Sequence, residues 1–208
     1  VNSATRITAV TPSGIPGAAE VRVTTPGGTS APDAFFFYAA PPVLQSADPV
    51  QGPTAGGTVV TLTGSNLLNA GAVLFGAANA ASYTVVSATQ ITASAPPGTG
   101  SVPITVVTPG GTSNPLAFVY VVPPTLTALV PSAGPASAGT VVTLTGTNLA
   151  TATAVTFGCS AVPFTVVSDT KITAVAPAGA PGPVTVTVTT AGGTSSGLPY
   201  TRTAAPGI

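Results

Sequence analysis

Residues 182–195 read GPVTVTVTTAGGTS, and the fold can be reasoned outward from that stretch. Val184, Val186 and Val188 alternate with Thr185 and Thr187, the period-two pattern of a strand with valines on one face and threonines on the other. The Gly-Gly pair that follows marks a hairpin, since glycine allows positive φ at both central positions of a tight turn. The same phrase stands earlier as TTPGGTS (24–30) and VTPGGTS (107–113), copies about 83 residues apart. A fixed period says that one structural unit has been copied. The inward triad recurs with it, as Val102, Ile104 and Val106, and as Ala19, Val21 and Val23.

The flanks fall into the same register. GTVVTLTGSNL (57–67) matches GTVVTLTGTNL (139–149) with one difference, Ser65 against Thr147. AVLFG (72–76) faces AVTFG (154–158), and YTVVSATQITASAP (83–96) faces FTVVSDTKITAVAP (164–177), an element that the opening VNSATRITAVTP (1–12) repeats. Complete units are expected at 41–121 and 123–203. Residues 1–39 read as the second half of a unit, and 204–208 resemble the start of a further linker. Each copy ends on an aromatic strand, with Phe35 and Phe37, Phe118 and Tyr120, and Tyr200 expected in equivalent places and Tyr120 aligned on Phe37. Pro103 inside a strand suggests an edge or a bulge. About seven short β-branched segments per unit, bounded by Gly, Pro, Asn or Ser, give an all-β chain of tandem immunoglobulin-like sandwiches.

Composition removes several functions. Only four basic and four acidic residues occur among 208, so no basic patch exists to neutralise nucleic-acid phosphates or bind anionic lipid. The apolar run Ala34–Leu44 is broken by proline and too short to span a bilayer. The absence of a leader-like start makes a mature fragment the expectation. A Thr-rich chain without His or Met, and with a single Lys, suits an extracellular setting. No Asn-x-Ser/Thr sequon occurs.

The order of a Pro-rich lead-in (41–57), TVVTLTGSNL, VLFG, VVSATQITASAPP, VPITVVTPGGTS and an aromatic strand resembles the IPT/TIG family in its bacterial form. The resemblance covers essentially the whole chain. It implies an immunoglobulin-like sandwich. Family members include DNA-binding proteins with basic loops and plexins with disulfides, neither of which this sequence supplies. Others are accessory linkers beside starch-acting enzymes, or stalks and adhesins of bacterial surfaces.

The sequence has little chemistry to offer. Without histidine, Cys159 has no base to make it a nucleophile, and its alignment with Ala77 suggests a small, partly buried thiol. An intermolecular disulfide is its other use. Asp169 and Lys171 stand two apart, on one face if both lie on a strand, and invite an exposed ion pair. Asp33 and Asp48 are too isolated for a calcium site. No catalytic residue, cofactor or metal ligand is expected. Tyr83 is the one aromatic suggested as a glycan platform. Phe35, Phe36 and Phe37 lie in the half unit, which lacks the strands equivalent to 58–67 and 72–75, and are expected to form an assembly surface. The expected function is a non-catalytic structural or adhesive repeat segment of an extracellular bacterial surface fibre or stalk, its half unit completed by upstream chain or by a second subunit in a head-to-tail filament, and its partners being neighbouring repeats, identical subunits, a surface glycan or a host protein. The alternative is a carbohydrate-binding or spacer module of a secreted polysaccharide-active enzyme.

Overall fold

A computed structural model describes residues 1–206, and every regular element among them is a strand. Residues 1–39 hold β1 (Gly17–Val21), β2 (Thr24–Thr25), β3 (Gly28–Thr29) and β4 (Ala34–Tyr38). The next ten are β5 (Val43–Asp48), β6 (Gln51–Pro53), β7 (Val59–Ser65), β8 (Ala72–Phe75), β9 (Ala78–Asn79), β10 (Ser82–Ser87), β11 (Gln90–Ser94), β12 (Gly100–Thr108), β13 (Gly111–Thr112) and β14 (Leu116–Val121). Then follow β15 (Thr125–Val130), β16 (Ala133–Pro135), β17 (Val141–Thr147), β18 (Ala154–Phe157), β19 (Ser160–Val162), β20 (Phe164–Ser168), β21 (Lys171–Val175), β22 (Gly182–Thr190), β23 (Gly193–Thr194) and β24 (Leu198–Thr203).

Two sandwiches of the same plan result. In the first, the sheet β10-β11-β7-β5 faces β6-β14-β12-β8-β9. In the second, β15-β17-β21-β20 faces β16-β24-β22-β18-β19. The leading strand of each divides between sheets: β5 pairs with β7, and the chain then crosses so that β6 runs parallel to β14. Cis peptide bonds precede Pro49 and Pro131 at those crossings.

Alternation builds the cores. Val60 and Leu62, Ile91 and Ala93, Val73 and Phe75, and Ile104 and Val106 turn inward from four strands of the first sandwich and are buried. Val142 and Leu144, Ile172 and Ala174, Val155 and Phe157, and Val186 and Val188 do the same in the second. The intervening threonines line up across the outer faces, Thr84 and Thr61 on either side of Thr92, and Thr165 and Thr143 on either side of Thr173. Those hydroxyl rows keep a nearly uncharged surface wet.

The shared motif TLTGxNL is explained by close approach. A Cβ on Gly64 would run into the Val43 carbonyl, and one on Gly146 into that of Thr125, so a side chain would push β5 or β15 off its neighbour. Asn66 and Asn148 then take φ of 58° and 56°, the left-handed region that asparagine tolerates better than most residues.

Two expectations are corrected and one is narrowed. The aromatic strand is shifted by one residue: Gly17, Gly100 and Gly182 pair with Tyr38, Tyr120 and Arg202. Tyr120 is therefore equivalent to Tyr38, and Phe118 to Phe36 and Tyr200, because three residues separate Ser30 from Ala34 where two separate Ser113 from Leu116. Pro103 lies in no bulge, and β12 as a whole is flanked by β14 and β8; Pro103 sits one residue beyond the last β8 pairing, a local edge where its missing amide is not needed and its carbonyl accepts from the Gly76 amide at 2.7 Å. Finally, of the two glycines in the repeated turn only the second has positive φ, 128° at Gly28, 122° at Gly111 and 114° at Gly193. Pro26 and Pro109 occupy the first central position of their turns and fix φ near −65° there, which rules out the turn type with both central residues positive.

Candidate functional site

Residues 1–39 keep the local habits of a unit without its core. Ser3 and Arg6 form the bridge that corresponds to Ser87 and Gln90, and the Tyr38 hydroxyl donates to the Pro12 carbonyl at 2.8 Å as Tyr120 does to Pro96. Among the described residues no second sheet lies across β1 and β4. Phe36 is 40% exposed where Phe118 is fully buried, and Ile7 is 49% exposed where Ile91 is buried. Of the aromatic trio, Phe36 stacks edge-on to Tyr38 at 4.9 Å, while Phe35 and Phe37 lie on the opposite face, Phe37 being 72% exposed.

The other singled-out residues are scattered. Tyr83, opposite Ala93 and hence on the core side of β10, is partly exposed at the sandwich rim, with its hydroxyl donating to the Ala70 carbonyl at 3.1 Å. Cys159 is exposed, not partly buried, because it sits in the turn between β18 and β19. Asp169 and Lys171 form no ion pair: Asp169 is in the turn before β21, and its carboxylate accepts from the Ala150 amide at 3.3 Å. Among the described residues an ion pair does form between Arg22, just past β1, and Glu20 on β1, at 2.7 Å and exposed. Among the described residues no three His, Cys, Asp or Glu converge as metal ligands, and no helix is long and apolar enough to cross a membrane. A recess of about 470 Å³ between β5 and β14 is lined by Ala47, Val50, Leu116, Ala117 and Val119 with Gln45 and Ser46, none of them titratable.

Two buried polar groups escaped the reading of the sequence. The Tyr200 hydroxyl and Arg202 Nε are buried without hydrogen-bond partners, at positions where the first sandwich has Phe118 and the satisfied Tyr120. The repeat alignment holds the signal, since Arg202 interrupts an otherwise aromatic position. Burial raises the Tyr120 hydroxyl above its ordinary pKa.

The repeated phrase is the most organised local feature. In all three copies its serine seals the hairpin: Ser30, Ser113 and Ser195 accept at Oγ from the amides of Val23, Val106 and Val188 at 3.0–3.1 Å and return their own amides to the same residues' carbonyls at 2.9 Å. Its threonine accepts the turn amide, Gly27 to Thr25, Gly110 to Thr108 and Gly192 to Thr190. These turns carry no helix or lysine and serve the backbone.

Among solved structures the chain is similar to the plexin A4 extracellular region, at 26% identity over 78% of this chain and 18% of that one, with a TM-score of 0.48. It is also similar to SGBP-B from a complex xyloglucan utilization locus in Bacteroides uniformis, at 22% identity over 77% and 49%, with a TM-score of 0.37. A third is Gamma-CGTase from alkalophilic Bacillus clarkii, at 15% over 81% and 27%, with a TM-score of 0.37. The chain thus spans under half the length of each of these proteins. The IPT/TIG domain model matches residues 42–120 and again 124–202, the two sandwiches with their sealed hairpins, and the chain belongs to the IPT/TIG domain family.

Proposed function

We propose that this chain is a non-catalytic structural repeat segment of an extracellular bacterial surface fibre or stalk. The observation that carries the reading is the near-identity of plan between two sandwiches separated only by residues 122–124, with no clustered chemistry on either among the described residues. Stacked units that meet mainly their neighbours add length without new fold information. Residues 1–39 act as part of a further unit: Phe36, on the uncovered inner face of β1 and β4, meets complementary strands from a neighbouring repeat or an identical subunit, while Phe35 and Phe37 present a separate apolar surface on the outer face. An intermolecular disulfide through Cys159 belongs to the same reading, and the exposure of its thiol in a turn supports it.

Intact mass of the native protein, paired with negative-stain imaging, tests this reading. A beaded rod, either as one long chain or as a filament of short ones, is expected; isolated globular particles that never associate would sink it. The alternative, a carbohydrate-binding module of a secreted polysaccharide-active enzyme, draws on the partly exposed ring of Tyr83. Saturable glycan binding abolished by Tyr83→Ala would favour it over the stalk.

A further inference from the structure

The first glycine of the repeated phrase has no conformational reason to be glycine, since its φ is not positive in any copy. Its reason lies in what it touches. A Cβ on Gly110 would overlap the Ala40 carbonyl oxygen and come within 3.0 Å of the Ala39 oxygen; a Cβ on Gly192 would overlap the Val122 oxygen and come within 2.9 Å of that of Val121. Each turn is therefore pressed against the polypeptide that leads into its own sandwich. On Gly27 the nearest atom to a Cβ would be Thr25 Oγ1, at 3.7 Å, and no linker is in contact.

A second contact holds the same segments. Asn66 Nδ2 donates to the Pro41 carbonyl at 3.0 Å, and Asn148 Nδ2 to that of Pro123 at 3.1 Å. In the first sandwich Asn114, next to the phrase, adds a paired bond, accepting from the Leu44 amide and donating to the Leu44 carbonyl, both at 2.9 Å. The linker itself has little freedom. Val121 is the last residue of β14 and Thr125 the first of β15, and of the three residues between them two are proline and the third precedes one.

We infer that the repeated Gly-Gly turn, together with the asparagine of TGxNL, is a docking surface for the extended, proline-flanked segment leaving the preceding unit, so that it fixes the angle between units. The inference rests on the stalk reading and supplies its stiffness. Because Val121 is paired in β14 and also lies against Gly192, the contact joins one sandwich directly to the next. Successive units then share one orientation.

Three copies of one phrase allow the same substitution to be compared in one chain. Nitroxide labels on Cys159 and on Ser101→Cys, both exposed, read the distance between the sandwiches by pulsed electron resonance on the full chain. The original chain is expected to give one narrow distance peak. Gly192→Ala should broaden that peak at least twofold, and Gly27→Ala should leave it unchanged. Asn148→Gly keeps the positive-φ backbone while removing the linker bond, and should broaden the peak without unfolding the second sandwich, which amide NMR checks. A broad distribution in the original chain, or a Gly192→Ala and Asn148→Gly pair that both superpose on it, overturns docking. Such a result leaves the stalk reading standing as a flexible tether, whereas that reading falls with the imaging experiment.

Discussion

At the scale of single residues, the two sandwiches differ most where Phe118 and Tyr120 give way to Tyr200 and Arg202. A buried hydroxyl without a partner costs about 1–3 kcal/mol relative to a satisfied one, and Phe fills the same volume without that penalty. Tyr200→Phe is therefore expected to stabilise the second sandwich by about 1 kcal/mol, seen as a rise in its unfolding midpoint by chemical denaturation. The ring should keep its edge-on contact with Phe157, now 5.3 Å between centroids. Tyr120 yields a pH prediction. Burial raises its folded pKa above the unfolded value of about 10, so the neutral form is favoured by folding. The unfolded state then holds fewer protons than the native one once pH exceeds about 10, and stability falls as pH rises toward and through the folded pKa. Denaturant titrations at alkaline pH should show this loss for the first sandwich, and Tyr120→Phe should remove its share of it while giving up the bond to Pro96.

At the scale of elements, Gly146 governs whether β15 can lie against β17. Its missing Cβ leaves room for the Thr125 carbonyl of the paired strand, a backbone atom with no rotamer to escape through. Gly146→Ala should cost the second sandwich on the order of 2–4 kcal/mol, measured by denaturant midpoint, while Ala introduced at the exposed Thr145 changes stability by under about 1 kcal/mol. The alternation of Val184, Val186 and Val188 was legible in the sequence because a period of two depends only on near neighbours. The phase of the aromatic strand was not, because the extra residue between Ser30 and Ala34 is absorbed in a loop and nothing local says which side it enters. Half of the repeated turn was legible for the same reason: the second glycine answers to backbone conformation, whereas the first answers to a linker some 70 residues upstream. Asn114 and Leu44 are equally distant in sequence, and their mutual bonds had no local signal.

At the scale of the whole molecule, the two cores share no buried residue, and residues 1–39 contribute to neither. Each sandwich draws its sheets from its own 80 or so residues, so the folding unit and the repeat unit coincide. This separates the chain's stability from its reach. Removing residues 1–38 while keeping Ala39 and Ala40 against Gly110 should leave both sandwiches' unfolding midpoints within about 0.5 kcal/mol of the full chain, because no core atom is lost. The same truncation should abolish any self-association carried by the uncovered face of β1 and β4, measured by sedimentation across concentration. Hydrogen exchange offers the complementary view: amides of β1 and β4, paired only to each other, should exchange orders of magnitude faster than those of β12 or β22, which are paired on both sides. Protection in β1 and β4 equal to that of β12 would mean that another chain already covers them. In that case the shorter chain should lose the association and the protection together.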